Sequence, residues 1–319
     1  MSSSPRVLIT GANGHVGGRL FDDLFSRRLV TLRGLMRSPR YLPAWRQNAD
    51  ILFGNLSDQD VQRSALRSVD CVVHLANRGF SAAEPPTSEE LAEEQSRTLS
   101  FIRTAIATGV TRFIYVSSIH VYGDALVGAV DDATPTAPNS PFGRSRQNIE
   151  HAIRDLSSST SSELIVVRLA NSFGVPVIPR SETWNLLMHD LSRQVVASKS
   201  ISLRSNPKVC RDMMALRDVV SVLSQLILSP MPLGGVYLLA SGQTMSLLEL
   251  AQLVRKLARD VLEVDIGISL PPESSSPPPT FSLHPERLIG AGITIPQNRD
   301  EEIRDLLRYA QREFGVTPS

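Results

Sequence analysis

Three glycines stand at regular spacing where the first apolar segment of the chain meets the first helical pattern. The sequence VLITGANGHVGGRL places Gly11, Gly14 and Gly17 between a strand predicted over 6–10 and a helix predicted over 17–27. Glycines at this spacing let the backbone turn sharply, and they let a pyrophosphate approach the free N–H groups at a helix N-terminus. Because the strand and helix that the motif requires are both present, the pattern predicts binding of a dinucleotide.

A second group of candidate residues follows an apolar strand near the middle of the chain. The segment RFIYVSSIHVYG has Ser118 at the end of a strand predicted over 112–118, with His120 two residues further on. Ligands of parallel sheets bind at the carboxyl ends of the strands, and an imidazole titrates close to neutral pH. We therefore consider His120 for proton transfer, with ligand binding and loop packing as open alternatives. Tyr122 is better explained as a packed aromatic residue.

The elements that would position these residues alternate along the chain. Strands are predicted at 6–10, 31–36, 71–76, 112–118, 164–170 and 235–241. Helices are predicted at 17–27, 59–66, 88–108, 142–157, 183–196, 218–228, 246–260 and 300–314. This alternation implies right-handed crossovers and an α/β fold whose parallel sheet is covered on both faces.

The composition argues against several classes of protein. The 319 residues include 33 basic and 32 acidic ones, a balance that does not favour nucleic acid or anionic membranes as partners. No apolar run is long enough to span a bilayer, and no secretory signal is visible at the N-terminus, so we expect a cytoplasmic protein. The cysteines are only Cys71 and Cys210, and the histidines are scattered singly. We expect neither a disulfide framework nor a metal site.

Eight segments of the sequence resemble, in order, those of one known family. They are TGANGHVG at 10–17, GNLSD at 54–58, VVHLAN at 72–77, RFIYVSSIHVYG at 112–123, SPFGRSRQNIE at 140–150, VVRLANSFG at 166–174, RDMMALRDVV at 211–220 and GGVYLLASGQTMSLLELAQLV at 234–254. They are similar to segments of the extended short-chain dehydrogenases/reductases, the nucleotide-sugar epimerases, dehydratases and reductases typified by UDP-galactose 4-epimerase.

The resemblance implies a particular division of the chain. A Rossmann domain, with a doubly wound parallel sheet that binds NAD or NADP, is expected over residues 1–176. A smaller α/β C-terminal domain that binds a nucleotide-sugar substrate is expected over 177–319. The stretch near 211–228 is expected to pack back on the Rossmann domain.

The sequence departs from the family at the residues that transfer a proton. In the family a Tyr exchanges the hydroxyl proton of the sugar, a Lys four residues later lowers the pKa of that phenol, and a Ser orients the substrate oxygen. Here Ser118 matches the Ser, but Phe142 stands at the Tyr position and Arg146 at the Lys position. Phe142 cannot carry a proton. Arg146 can still supply a positive charge and bind ribose hydroxyls, and only three of the 33 basic residues are lysines, so its presence is weak evidence of lost function.

The resemblance also assigns residues to the ligands. The cofactor is expected to contact Gly11, Asn13, Gly14, His15, Val16, Gly17, Arg37, Asn55, Leu56, Leu75, Ala76 and Arg146. The nucleotide and its diphosphate are expected to contact Asn171, Asn185 and Arg211. Structural alternatives stay open for these three: Asn171 could cap a turn, and Arg211 could pair with Asp218.

Several departures concern the cofactor. The end of the second strand reads GLMRSPR and lacks an acidic residue for a ribose 2′-hydroxyl, whereas Arg37 and Arg40 could meet a 2′-phosphate. This favours NADP over NAD, with a solvated surface charge as the alternative for Arg37. Asn55 stands where the family often has an Asp. The stretch 93–98 lacks the usual Asn, and Gln95 is the nearest substitute.

Three functions remain open on this sequence. The first is an NAD(P)-dependent nucleotide-sugar epimerase, dehydratase or reductase with an altered proton relay. The second is a catalytically silent dinucleotide-binding sensor or partner protein, which Phe142 favours. The third is a reductase of a non-sugar carbonyl, against which Asn185 and Arg211 count. A homodimer through the helices at 88–108 and 142–157 is a further expectation, with core packing as the alternative explanation of the apolar stripe Ile149, Ala152, Ile153 and Leu156.

Overall fold

A computed structural model describes residues 4–38, 48–77, 86–123, 126–179, 181–272 and 278–315. The first half of the chain forms β1 (Arg6–Thr10), α1 (His15–Arg27), β2 (Thr31–Met36), β3 (Asp50–Phe53), α2 (Gln59–Ala65), β4 (Cys71–His74), α3 (Ser88–Ala107), β5 (Arg112–Ser118), β6 (Gly128–Asp131), α4 (Pro141–Ser157) and β7 (Glu163–Leu169). The second half forms β8 (Asn171–Phe173), α5 (Leu187–Ser198), β9 (Ser200–Ser202), β10 (Cys210–Ala215), α6 (Leu216–Leu228), β11 (Gly235–Leu239), β12 (Thr244–Ser246), α7 (Leu247–Leu262), β13 (Gly267–Ser269), β14 (Phe281–His284), α8 (Glu286–Gly290) and α9 (Arg299–Phe314). Short 3-10 turns occupy Ile119–Tyr122 and Ser181–Asn185.

Seven parallel strands form the central sheet, in the order β11-β7-β5-β4-β1-β2-β3. Successive side chains of a strand point to opposite faces, so each central strand contributes to two cores. In β1, for example, Val7 and Ile9 face α1 and α6, whereas Leu8 faces α3 and α4. The prediction of a Rossmann-like parallel sheet covered by helices on both faces is confirmed.

Local sequence signals account for where several helices begin. The hydroxyl of Thr87 accepts the N–H of Glu90, whose carboxylate accepts the N–H of Thr87, and this capping box starts α3. Ser140 caps α4 with Pro141 in the first turn, where proline needs no N–H donor. The predicted helix 183–196 differs, because the extended backbone of Leu186 separates a 3-10 turn from α5.

The second half of the chain contributes both to the central sheet and to a separate apolar cluster. Strand β11 pairs with β7 at the edge of the central sheet, and α6 packs beside α1 on one face of it. Helices α5, α7 and α9 enclose a separate apolar cluster. The division at residue 176 stays a prediction about domains, but part of the chain beyond it completes the central sheet. Within the described ranges, no helix is both long and apolar enough to cross a membrane.

One buried carboxylate connects α9 to α1 and α6. Glu302 is fully buried, and its two oxygens accept hydrogen bonds from Arg19 of α1 at 3.2 Å and from Nε of Arg217 of α6 at 2.8 Å. It also accepts the backbone N–H of Val175, and a Cβ on Gly174 would lie 2.3 Å from its Oε1 atom. The close approach explains the glycine and fixes the chain after β8 against α9.

Replacing Glu302 with Gln should destabilise the protein. Arg19 loses its carboxylate partner and Arg217 keeps only Asp305, and because both arginines are partly exposed we expect a cost of roughly 2–4 kcal/mol in the free energy of unfolding, somewhat below that of breaking a fully buried pair. Urea denaturation measures the change. Glu301→Gln is the control. Glu301, the residue before Glu302, forms an exposed pair with Arg304, so its replacement should change the free energy of unfolding by less than about 0.5 kcal/mol. Equal losses of stability in the Glu302→Gln and Glu301→Gln variants would contradict the structural role given to Glu302.

Candidate functional site

The glycine turn between β1 and α1 depends on very close backbone contacts. Gly11 has a φ of +69°, and a Cβ there would lie 2.8 Å from the carbonyl carbon of Leu75. A Cβ on Gly17 would lie 2.2 Å from the carbonyl oxygen of Gly11, and the N–H of Gly14 donates to that same oxygen at 2.8 Å. The turn is therefore seated on the carboxyl end of β4, beside Leu75 and Ala76.

The side chains of Thr10 and His74 hold Leu75 and Ala76 in this position. The Thr10 Oγ1 atom accepts the N–H groups of Leu75 and Ala76, each at 3.2 Å, and lies 2.9 Å from Nδ1 of His74. Since both acceptor sites of the hydroxyl are used, its proton goes to Nδ1, so the His74 proton lies on Nε2 and faces Thr98. Burial lowers the pKa of His74 to about 3, so this histidine stays neutral.

The first turn of α1 is suited to an anion. It contains no acidic residue, and it begins at His15 with Gly14 as the N-cap. Asn13, His15 and Val16 are half-buried around the turn. The ring of His15 packs at 5.5 Å, edge to face, against His189 of α5, which donates from Nε2 to the carbonyl of Gly174. Residues of the second half of the chain thus support this helix N-terminus.

Three of the expected cofactor contacts, Arg37, Asn55 and Leu56, follow the ends of β2 and β3. The carbonyl of Leu35 accepts the N–H of Gly11, so the end of β2 lies beside the glycine turn. Arg37 follows β2 directly and is exposed, while Arg40 is outside the described residues. Asn55 is exposed and its Oδ1 accepts the N–H of Ser57 in the same loop, and Leu56 is buried.

Ser118 and His120 are brought together with Phe142. Ser118 ends β5, and its Oγ accepts the N–H of His120 at 3.3 Å in the 3-10 turn that follows. The partly exposed His120 ring meets the Phe142 ring edge to face, with centroids 5.7 Å apart. A Cβ on Gly143 would lie 2.5 Å from the His120 carbonyl oxygen, so only a glycine lets α4 approach this closely.

Arg146 lies inside the molecule and has acidic and phenolic partners. Its side chain is only 2% exposed, it forms an ion pair with Glu94 of α3, and its Nη1 lies 3.3 Å from the Tyr115 hydroxyl. Its Cζ atom lies 4.6 Å from the centroid of the Phe142 ring. Burial by itself lowers the pKa of Arg146, but interactions with Tyr115 and Glu94 more than offset this, and the net pKa is raised. The guanidinium therefore stays charged within the α3–α4 interface.

A second buried network holds the 3-10 turn in place. Glu150 of α4 accepts hydrogen bonds from Ser117 at 2.6 Å and from two nitrogens of Arg168. Arg168 also donates to the Tyr122 hydroxyl, which in turn donates to the carbonyl of Asp131 at 2.8 Å. Burial raises the pKa of Tyr122. The packed-aromatic interpretation of Tyr122 agrees with these contacts.

The three expected substrate residues occupy neighbouring but different elements. Asn171 begins β8 and is half-buried, with its Nδ2 3.5 Å from the Asp212 carbonyl. Arg211 lies exposed on β10, the strand that pairs with β8, and donates to the carbonyl of Cys210. Asn185 is exposed at the end of the 3-10 turn before α5. The alternative in which Arg211 pairs with Asp218 is wrong, because Asp218 accepts from the backbone and side chain of Asn298.

Comparison with known proteins places this architecture in a family. A sequence model of the NAD-dependent epimerase/dehydratase family matches residues 7–240. The chain belongs to this family. The UDP-glucose 4-epimerase of Vibrio cholerae is 26% identical over 260 residues, which make up 79% of this chain and 74% of that protein. Membership in the family confirms the resemblance read from the eight segments and supports the expectation of an enzyme.

Two solved structures illustrate the shared fold. The UDP-glucose 4-epimerase of Thermotoga maritima, solved with UDP-glucose, has a TM-score of 0.79 at 18% identity over 97% of this chain and 99% of that one. A Tyr-to-Phe variant of the UDP-glucuronic acid 4-epimerase of Bacillus cereus was solved with NAD and UDP-4-deoxy-4-fluoro-glucuronic acid. It has a TM-score of 0.79 at 17% identity over 97% of this chain and all of that one.

The glycine turn fits NAD, the cofactor named in the description of the NAD-dependent epimerase/dehydratase family. Its backbone leaves no space for side chains at Gly11 and Gly17, and the helix behind it begins without a negative charge. N–H groups and a helix dipole at such a turn are what a pyrophosphate requires.

The sequence reasoning missed Glu94, which contacts Arg146 in the candidate site. Gln95, the expected substitute for the missing Asn, instead contacts Asn148 on the surface. Glu94 was detectable in principle, because Leu91, Thr98, Phe101 and Ile102 are buried and their helical spacing places position 94 on the same inward face.

Replacing Gly17 with Ala should impair dinucleotide binding. The added Cβ would meet the Gly11 carbonyl oxygen at 2.2 Å, so the turn must move away from its present shape. We expect the affinity for the dinucleotide to fall at least roughly tenfold, about 1.4 kcal/mol, in a fluorescence titration. Gly234→Ala is the control, because a Cβ there meets no atom within 4 Å. Unchanged affinity in the folded Gly17→Ala variant would contradict the role of the turn.

Proposed function

We propose that this protein is an NAD(P)-dependent enzyme acting on a nucleotide-sugar, with His120 in place of the family tyrosine as the proton-transferring residue. Membership in the epimerase/dehydratase family supports the cofactor and the reaction class. The observation that carries the proposal is the position of His120. Its ring lies against Phe142, at the family's Tyr position, and its backbone is fixed by Ser118.

The cofactor would be held by the glycine turn and the start of α1. The N–H groups of that turn would face its pyrophosphate, and exposed Arg37 beside the turn would face a 2′-phosphate, which favours NADP over NAD. When bound, the cofactor would supply hydride transfer to or from a sugar carbon. The hydroxyl proton of that carbon then needs a separate acceptor in the protein.

His120 is better placed for this proton than the tyrosines nearby. Tyr115 is fully buried, and burial raises its pKa to about 12. The hydroxyl of Tyr122 is engaged by Arg168 and the Asp131 carbonyl, and its pKa is also raised. His120 is partly exposed and its ring nitrogens can accept and donate a proton. In the proposal, its imidazole takes the hydroxyl proton as the hydride leaves, and the Ser118 hydroxyl orients the sugar oxygen.

The nucleotide would be held by residues of the second half of the chain. Arg211, exposed on β10, offers a guanidinium fork for diphosphate oxygens. Asn171 on the adjacent strand and Asn185 before α5 would contact the nucleotide. UDP-glucose is present in the structure of the Thermotoga maritima protein, which makes a uridine diphosphate sugar the first ligand to test. The homodimer through α3 and α4 also remains a proposal.

A catalytically silent ligand-binding protein is the second candidate. Phe142 cannot exchange a proton, and the charge of Arg146 beside it is already paired with Glu94. The Tyr-to-Phe variant of the Bacillus cereus epimerase was solved with NAD and a sugar nucleotide. A protein of this fold can therefore hold both ligands while carrying a Tyr-to-Phe change, as the silent candidate requires.

Replacing His120 with Ala distinguishes the two candidates. If His120 transfers the proton, we expect kcat with UDP-sugars to fall by about 10²–10⁴-fold, while dinucleotide affinity stays within about twofold. His151→Ala is the matched control, since His151 is exposed on α4. An active wild type with an unchanged rate in the His120→Ala variant rules out the relay. A wild type that binds both ligands without turnover supports the silent candidate.

Replacing Arg37 with Ala tests the preference for NADP. Loss of a charged hydrogen bond to a 2′-phosphate should weaken NADP binding about tenfold and leave NAD binding unchanged. Isothermal titration with both dinucleotides measures the ratio, and Arg63→Ala serves as a control at an exposed arginine on α2. If the two affinities fall together, or if neither changes, Arg37 does not read the phosphate. Mass spectrometry of the nucleotide released from the purified protein gives an independent answer.

A further inference from the structure

We infer that Glu94 is a positioning residue of the candidate site, whose carboxylate cancels the charge of Arg146 and holds the guanidinium against Phe142. The inference concerns the same site as the proposed function but does not require turnover. The replacement of the family's Tyr and Lys by Phe142 and Arg146 therefore involves a third residue, Glu94, which lies on a different helix.

The contacts of Arg146 define this unit. Glu94 reaches it from α3, Tyr115 from β5, and Phe142 from the preceding turn of α4. Glu94 and Arg146 are only 1% and 2% exposed at their side chains, so water does little to screen either charge. A buried arginine at this place requires a buried anion, and the described contacts supply it from Glu94.

The chemical consequence concerns the charge beside position 142. A nearby unpaired cation lowers the pKa of a phenol, because it favours the phenolate. A cation already paired with a carboxylate has a much weaker effect, since the two charges oppose each other. Position 142 therefore carries no phenol, and the charge of Arg146 beside it is already balanced by Glu94.

The pairing of Arg146 with Glu94 predicts the effect of restoring the family residues at positions 142 and 146. In a Phe142→Tyr/Arg146→Lys variant, the new ammonium group would remain paired with Glu94. The phenol introduced at position 142 would then not be activated. Neutralising Glu94 in the same variant would release the charge and lower the pKa of the introduced phenol.

The test compares three variants that share Phe142→Tyr/Arg146→Lys. One keeps Glu94, one adds Glu94→Gln, and one adds Glu94→Asp, which retains the negative charge. Phenolate absorbance is followed against pH, and the curve of the matching variant with Phe142 retained is subtracted. The subtraction removes the absorbance of the five native tyrosines, since both members of each pair contain them. We expect the introduced phenol to ionise at least about one pH unit lower with Glu94→Gln than in the other two variants.

The outcomes separate a charge-setting role from a purely structural one. Equal phenol ionisation with Glu94, Gln and Asp would overturn the inference, even if the Gln variant were less stable. Low-pH ionisation with Glu94 still present would overturn it as well. Because the readout needs no turnover, an inactive wild type or an unaffected His120→Ala variant would weaken the proposed function and leave this result standing.

A second comparison covers failure of the Gln variant to fold. The variant Phe142→Tyr/Glu94→Gln/Arg146→Met carries neither buried charge, so no unpaired ion remains in the interface. If the native pair is electrically balanced, its phenol should ionise within about half a pH unit of the Phe142→Tyr single variant. A difference above about one unit would show that Glu94 does not balance Arg146 and would contradict the inference.

Discussion

Parallel pairing of the central strands is the constraint on which the rest of the structure depends. It brings the carboxyl ends of β1, β4, β5 and β7 to one edge of the sheet, where the glycine turn, Leu75 and Ser118 follow their strands. None of these residues is close to another in sequence. Their proximity follows from the strand order. It places the glycine turn and His120, the candidate proton-transferring residue, at the same edge of the sheet.

Three buried carboxylates are each joined to one or two arginines. Glu94 lies with Arg146, Glu150 with Arg168, and Glu302 with Arg19 and Arg217. Buried ions are tolerated when a partner and further hydrogen bonds compensate the loss of water, and each of these pairs joins two or three elements. The pairs thereby fix helices α3, α4 and α9 relative to the sheet, and they limit which charges can be changed one at a time.

The sequence predicted those parts of the fold that depend on local pattern. The alternation of apolar and amphipathic segments was enough for six of the seven central strands and most long helices, and the glycine spacing predicted the turn at Gly11–Gly17. It missed β3, an edge strand of four partly exposed residues. Short strands such as β8 and β12 have three residues each and pair only through distant contacts, so no periodicity reveals them. The Glu94–Arg146 pair joins residues 52 positions apart, so the spacing within α3 can place position 94 on its inward face but cannot name its partner on α4. The roles of the site residues and the division at 176 remain predictions.

The position of β11 has a consequence for how the chain folds during synthesis. Residues 6–169 contain six strands of the central sheet, yet the seventh strand and helix α6, which covers one face, come from residues 216–239. Until those residues leave the ribosome, β7 is an unpaired edge and the apolar face beside α1 is open to water. A fragment ending near residue 176 would keep this edge and face exposed and would be prone to aggregate.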